Sequence, residues 1–368
     1  MRILFLNKRQ YTNRDVLDDA YGRLWEFPTE LAARGHDVQA LLLSYRARAE
    51  GEWRRDGVCW QSVNGGPRRP DGLARYLRAV RAKVAAWAPD LIVASSDTVF
   101  PVIARAIAAR RGIPVVADLY DNYESFASAR LPFVPALYHG ALRTAAGVVA
   151  VSQPLADKLV DIDGLDPERV SVVVNGINQG LFCPGARGAA RRALGLPLAT
   201  PLVGTAGSLF RNRNIGVLFD AVARAREIRP ETKLVVAGPR DIEIPDEEWI
   251  IDLGVIGYDT VPDLFRALDV GAICNTPSPF GSYCFPQKAY EMIACGLPIC
   301  AARVGALEGL LSDWPATLSA PDDARDLSAK ILGQIASPCR PELPVASWSS
   351  LTGRLESFLI DAAGRGAR

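Results

Sequence analysis

Ser282-Tyr-Cys-Phe-Pro-Gln-Lys-Ala-Tyr-Glu-Met-Ile-Ala-Cys-Gly-Leu-Pro298 reads as a short loop, a helix begun by Pro286, a stop at Gly296 and Pro298, and then a strand over Ile299–Ala302. Proline suits the first helical turn, and glycine followed by proline is the expected termination chemistry. Phe285 falls at the N-cap and has no side-chain oxygen to give the first amides. The N–H groups of Gln287 and Lys288, with the helix dipole behind them, then form an anion site. Lys288 and Glu291 are three apart, so both project from one face. The layout suits a nucleotide diphosphate, with Lys288 and the amides on phosphate and Glu291 on ribose hydroxyls. An isolated Lys-x-x-Glu is more often an ordinary surface ion pair, so the flanking residues must decide.

Outward from this stretch, short apolar runs alternate with helical patterns, the mark of parallel α/β architecture. In the first half the strands are expected at Ile3–Leu6, Val38–Leu43, Val58–Val63, Leu91–Ala94, Val115–Asp118, Val148–Val151 and Val172–Val174. In the second half they fall at Leu202–Thr205, Lys233–Ala237, Ile250–Asp252, Val270–Cys274 and Ile299–Ala302. An Ala/Arg/Gly/Pro-rich bridge separates the halves. The expected organisation is residues 1–178, a linker 179–200, residues 201–345, and a terminal helical segment 346–368. Two Rossmann-like halves leave a deep cleft, and open parallel sheets bind ligands beyond the carboxyl ends of their strands.

The loop Thr205-Ala-Gly-Ser-Leu-Phe-Arg-Asn-Arg-Asn214 follows the first strand of the second half. Gly207 lets backbone approach a ligand beside Ser208, and Arg211 and Arg213 offer charge-assisted hydrogen bonds to phosphate. Alone, the pattern fits a solvated turn equally well. In the first half, the polar loop 7–21 carries Lys8, Arg9, Tyr11, Arg14 and three aspartates before Gly22, and its length suggests binding. Asp118 and Asp121 follow the strand ending at Asp118, where unpaired carboxylates are costly to bury; N-capping is the plainer reading of each. Ser95, Ser96 and Asp97 belong to the same rim. His36 reads as a turn residue. The pattern 73–87 puts Leu73, Leu77, Val80, Val84 and Trp87 on one face and Arg75, Arg78, Arg81 and Lys83 on the rest, with Arg68 and Arg69 ahead. Such a helix can rest on anionic lipid, although a solvated helix packed on the core is commoner.

The 368 residues suffice for two domains, and 23% charged with 49% hydrophobic residues is ordinary for a globular protein. A net charge of +1 argues against nucleic acid as an obligate partner. Seven cysteines without a Cys-x-x-Cys pair, and two histidines, argue against a disulfide framework or a zinc site and for a reducing compartment. No signal peptide or spanning helix is expected, which points to the cytoplasm with, at most, peripheral contact at the inner face of a membrane.

The 282–298 segment resembles the donor-site signature of retaining GT-B glycosyltransferases, the family-4 or group 1 transferases. That signature has two glutamates and then Ala-x-Gly-x-Pro. Glu291 matches the second glutamate, and Ala294, Gly296 and Pro298 match the run; Tyr283 stands at the first. Pro286, Lys288 and Glu291 reproduce the Pro-x-Lys-x-x-Glu variant. Gly207 and Leu209 match the family's diphosphate loop, with Ser208 where arginine is usual and Arg213 where lysine is usual.

The resemblance implies an α/β GT-B fold, two Rossmann-like domains facing across a cleft, the first binding the acceptor and the second the nucleotide sugar. The terminal helix would cross back to the first domain. It implies transfer of a sugar from a nucleotide diphosphate, UDP- or GDP-linked, to a hydroxyl of a glycan, lipid-linked or protein-linked acceptor, with retention and with neither metal nor cofactor. The donor set would be Gly207, Ser208, Arg211, Arg213, Tyr283, Cys284, Phe285, Pro286, Gln287, Lys288 and Glu291. Catalysis would fall to Lys288, Glu291, Asp118 and Asp121, and acceptor binding to Tyr11, Arg14 and Gly22. A nucleotide-sugar 2-epimerase of the same fold, or a catalytically silent nucleotide-sugar-binding subunit, are the alternatives; Tyr283 and Ser208 keep the second open.

Overall fold

The computed structural model describes residues 1–11, 14–66 and 71–366, and the chain folds as two compact units. The first comprises Met1–Gly176, Tyr283–Phe285 and the terminal segment from Trp348; the second comprises Ile177–Ser282 and Pro286–Ser347. Arg68 and Arg69 lie outside the described residues.

The first unit runs β1 (Arg2–Lys8), β2 (Gln10–Tyr11), β3 (Arg14–Asp15), α1 (Arg23–Ala33), β4 (Asp37–Ser44), β5 (Gly51–Arg55), β6 (Val58–Asn64) and α2 (Gly72–Trp87). It continues with β7 (Leu91–Ser95), α3 (Val99–Ala108), β8 (Val115–Leu119), α4 (Val134–Thr144), β9 (Gly147–Ala150), α5 (Gln153–Asp157) and β10 (Val170–Val172). Its sheet has the order β10-β9-β8-β7-β1-β4-β6-β5. All neighbours are parallel except the edge pair β5·β6.

The second unit runs α6 (Arg187–Ala193), β11 (Leu202–Ala206), α7 (Ile215–Ile228), β12 (Lys233–Ala237), β13 (Ile250–Asp252), α8 (Val261–Ala267) and β14 (Val270–Ile273). Then come α9 (Gln287–Ala294), β15 (Ile299–Ala302), α10 (Ala306–Leu310), β16 (Leu318–Ser319) and α11 (Ala324–Ala336). Its sheet, β13-β12-β11-β14-β15-β16, is parallel throughout. The last helix, α12 (Trp348–Gly366), packs on α1, β8 and β9 of the first unit.

Parallel sheets are covered on both faces, so their strands are continuous apolar runs whose side chains alternate between two cores. Leu202 and Ala206 of β11, with Val235 and Ala237 of β12, enter one core of the second unit. Val203, Leu234 and Val236 enter the other. In each sheet the first strand lies inside, and the chain leaves it in opposite directions on its two sides. That reversal, between β1 and β7 and between β11 and β14, is where open α/β sheets take ligands.

Three expectations need correction. The bridge expected as a linker, 179–200, contains α6, whose residues Ala190 and Arg191 are buried. Arg191 Nε donates to Ala267 O at 2.8 Å and Nη2 to Asp269 at 2.7 Å, so this stretch is part of the second unit. The buried stripe of α2 is Gly72, Tyr76, Val80 and Val84, leaving Leu73 50% exposed. Arg75 and Lys83 of α2 pair with Glu50 and Glu52, which leaves Arg78 and Arg81 as the exposed cations of the proposed lipid face. Finally, Tyr283–Phe285 group with the first unit rather than with the rest of the expected donor loop.

Candidate functional site

In the second unit, the loops after β11 and β14 meet at the sheet's reversal point. Helices α7 and α9 both begin at this carboxyl edge, and neither start has a side-chain cap. Pro286, expected at the first helical position, is the N-cap itself, with φ −81° and ψ 60°, and Gln287 opens the helix. The helix ends as expected: Gly296 has φ +74° and its N–H donates to Ile293 O.

Lys288 reaches across to β11, its Nζ donating to Thr205 Oγ1 at 3.2 Å. A Cβ on Gly207 would lie 3.6 Å from that same Nζ, so the ammonium sits directly against the glycine loop. Burial, and then the positive charge of Arg213, push the Lys288 ammonium down to about 8, while Cys274 and Glu291 oppose the shift. Arg213 closes the short helical turn Arg211–Arg213, with its guanidinium 3.4 Å from the centre of the Phe280 ring. Arg211 is exposed, and its backbone N–H donates to Asp241 at 2.8 Å. Glu291 is 7% exposed, and Gln287 Nε2 donates to its Oε1 at 3.3 Å.

Gly238 fixes the glycine loop from behind. It has φ +137°, and a Cβ there would overlap Gly207 O. Only glycine lets the turn after β12 approach so closely. Gly207 N–H in turn donates to Ala237 O at 2.9 Å. The second unit thus brings together Gly207, Ser208, Arg211, Arg213, Pro286, Gln287, Lys288 and Glu291. Tyr283, Cys284 and Phe285 are held with the first unit, where Ser152 Oγ donates to Tyr283 O at 2.6 Å.

In the first unit, Asp118 is not a free carboxylate. Arg23 Nε donates to both its oxygens at 2.9 and 3.0 Å, and Nη2 adds a contact of 2.6 Å. Arg23 is 1% exposed and also donates through Nη1 to Val173 O at 2.7 Å. Asp118 therefore ties α1 to the ends of β8 and β10. A general base held this way would have to break a bidentate buried pair first.

Asp121 is half-buried, and its charge acts on Lys8, whose ammonium burial pushes below the usual lysine range. Lys8 lies over the rings of Phe126 and Tyr120 at 5.0 and 5.8 Å.

The expected acceptor residues do converge. Tyr11 packs edge-on against Tyr120 at 4.8 Å and lies 6.1 Å from Tyr21. Arg14 covers Tyr21 at 4.8 Å. Gly22, with φ +75°, sits so close under Tyr11 that a Cβ would overlap the ring. Burial pushes the Tyr11 phenol far up, so it stays a neutral donor. At the reversal point itself Asn7 and Ser96 are fully buried, and the Asn7 amide and the Ser96 hydroxyl find no protein partner among the described residues.

Sequence reasoning missed Thr205, Phe280, Gly238 and Arg23. Gly238 was findable, since Ala-Gly-Pro directly after an apolar strand marks a tight turn. His36 does serve structure: its Nε2 lies 2.8 Å from Glu356 on α12. The seven cysteines are free thiols. Among the described residues no helix is long and apolar enough to cross a membrane.

Comparison with known proteins gives two family matches. Residues 23–176 match the glycosyl transferase 4-like domain, and residues 200–337 match glycosyl transferases group 1. The chain is 33% identical over 177 residues to the D-inositol 3-phosphate glycosyltransferase of Stackebrandtia nassauensis, covering 43% of this chain and 39% of that protein. It is 27% identical over 351 residues to the like-named protein of Acidothermus cellulolyticus, covering 84% and 75%. The match thus spans less than half the length of the first of these relatives.

Among solved structures, sucrose-phosphate synthase of Thermosynechococcus elongatus superposes with a TM-score of 0.74 at 18% identity, covering 100% of this chain and 97% of that one. HepE of Anabaena, solved with UDP, gives 0.71 at 20% identity and covers 100% and 98%. At these identities the likeness is one of fold, and that fold is GT-B.

Proposed function

This chain belongs to the group 1 glycosyltransferases, and we propose that it moves a sugar from a UDP-linked donor to a hydroxyl of a glycan or lipid-linked acceptor, with retention and without a metal. The observation that carries the donor half is the Lys288 ammonium, held at 3.2 Å from Thr205 against the Gly207 loop with Arg213 beside it. Uridine is favoured because HepE, of the same fold, was solved with UDP.

The chemical task is to stabilise the diphosphate as it leaves and the positive charge that develops on the sugar. Lys288, Arg213 and the uncapped start of α9 supply fixed positive charge where the diphosphate's negative charge grows, and fixed charges need no reorganisation during the reaction. Glu291 accepts the ribose hydroxyls. The acceptor oxygen bonds to the anomeric carbon, the bond from that carbon to the phosphate oxygen breaks, and the acceptor proton passes to the departing phosphate. That proton route explains how the reaction proceeds with Asp118 committed to Arg23. In the first unit Tyr11, Arg14 and Gly22 bind the acceptor, with Asp121 as the second carboxylate near them. The relatives' name makes D-inositol 3-phosphate an acceptor worth testing first.

The test is turnover of UDP-glucose with D-inositol 3-phosphate, and hydrolysis of the donor without it, each in the presence and absence of EDTA. Lys288→Met should cut turnover by roughly 10²-fold or more, the scale of losing one such contact, and EDTA should leave it intact. Near-wild-type turnover by the variant rejects the donor assignment. Abolition by EDTA rejects metal independence.

A further inference from the structure

We propose that the second unit carries another anion site, at the amino-terminal edge of its sheet, that takes a small phosphate ester. A cavity of about 780 Å³ opens there, within the roughly 300–1,000 Å³ of small-molecule sites. It is bounded by the residues that lead into β11, β14 and β15, namely Pro201, Asp269 and Pro298. Gly207 and Lys288 lie at the opposite, carboxyl edge of the same strands, so this is not the donor site.

Five arginines line the cavity, Arg187, Arg191, Arg229, Arg266 and Arg340, against one carboxylate, Asp269. The plain explanation is that they neutralise helix ends, because α7, α8, α9 and α11 all terminate here. The charges decide against that as the whole account. Asp263 pairs with Arg266 at 2.9 Å, so five guanidiniums and two carboxylates leave three positive charges. Each helix end carries about half a negative charge at most, so four of them offset roughly two. About one positive charge remains, the sign that a phosphate monoester, itself roughly −1.5 to −2 near neutral pH, requires.

The hydrogen bonds identify which arginines receive the ligand. Arg191 is 3% exposed and fully committed, to Ala267 O, to the carbonyls of Pro197, Leu198 and Thr200, and to Asp269. Arg266 is spent on Asp263 and the carbonyls of Leu181 and Cys183. Arg187 shares Asp269 with Arg191, so one carboxylate serves two cations. Among the described residues, Arg340 uses only Nε, on Gly296 O at 3.1 Å. The Arg229 guanidinium has no partner among the described residues. Two forks with free donors are thus presented to one cavity, the geometry arginine offers to phosphate. Phe265, Leu297 and Ile335 give an apolar wall for the body of the ester.

Such a phosphate could be borne by a soluble sugar ester or by a lipid headgroup, and the experiment separates them. With the full chain saturated with UDP, glucose 6-phosphate is titrated by calorimetry. In parallel, flotation is measured with phosphatidylcholine vesicles with and without phosphatidic acid. The double variant Arg229→Gln/Arg340→Gln should weaken the interaction at least tenfold, the scale of losing charge-assisted hydrogen bonds, while binding UDP as wild type does. Lys288→Met should leave it unchanged. Glucose 6-phosphate binding that the double variant loses supports the soluble source, and flotation on phosphatidic acid that it loses supports the lipid source. Binding of neither probe by wild type, or binding undiminished in the double variant, overturns the proposal.

Discussion

Lys288 should make nucleotide binding depend on pH in a range where an ordinary lysine would not. Burial and Arg213 hold its ammonium at about 8 in the free protein, against the 10.5 of an ordinary lysine. A diphosphate charge brought to roughly 4 Å, at an effective dielectric of about 20, is worth about 4 kcal/mol. That lifts the ammonium by about three pKa units, to about 11 in the complex. Between those values the free protein lacks a proton that the complex holds, so binding takes one up.

Affinity for UDP should therefore be flat below about pH 8 and fall about tenfold per pH unit above it. A measurement at about pH 9 should give binding roughly tenfold weaker than at about pH 6.5, with nearly one proton absorbed per UDP bound. Calorimetry in two buffers of different ionisation enthalpy reads both quantities. Lys288→Met should bind more weakly and show neither effect, and taking the difference between the two proteins cancels the ionisation of UDP itself. The stability of the free protein has the matching sign. The folded-state value is depressed, so as pH falls from about 10.5 to about 8 the unfolded chain gains a proton that the fold refuses, and stability declines until the folded state is also protonated. Equal UDP affinity at the two pH values, or an unchanged slope in the variant, would refute the placement of Lys288 at the phosphates.

Asp118→Asn and Arg23→Met should each destabilise the first unit by about 3–5 kcal/mol, because each strands a buried charge or its partner, and urea unfolding measures the loss. An Asp118→Asn protein with wild-type stability but no turnover would instead return Asp118 to the reacting atoms. Glu26 gives a second pH effect of opposite origin: burial and the neighbouring Glu30 raise its carboxyl from 4.5 to about 7. The fold then keeps a proton that the unfolded chain releases, so stability is greatest in acid and is lost as pH rises through about 7. Glu26→Gln should flatten that decline in urea titrations at about pH 5 and about pH 8, and an identical decline in both proteins would sink the assignment.

What could be read from the sequence, and what could not, follows the range of the interactions. Strands such as Leu202–Ala206 and Lys233–Ala237 are legible because two covered faces demand unbroken apolar runs. The edge strand β5 is Gly-Glu-Trp-Arg-Arg, mostly exposed, and no such demand falls on it. Missing β5 also hid Glu52, the partner of Lys83, and so left α2 looking more basic than it is. Helix α6 was obscured by composition: its alanines and arginines are good helix formers, but the surrounding Gly and Pro read as a bridge.

The same division runs through the site. Helix α9 was legible because its start, its stop and the Lys288–Glu291 spacing are all local. The pairings that give those residues their chemistry are not local. Thr205 lies 83 residues from Lys288, and Arg23 lies 95 from Asp118. A carboxylate at the end of a buried strand is equally consistent with catalysis and with a buried ion pair until its partner is known. For Asp118 the partner is a buried guanidinium whose Nε and Nη2 both donate to the carboxylate, so acting as a base would first require breaking that pair. For Lys288 the hydrogen-bond partner among the described residues is one neutral hydroxyl, which leaves the ammonium's remaining donors for phosphate. Both residues were catalytic candidates in the sequence, and the chemistry of their partners separates them.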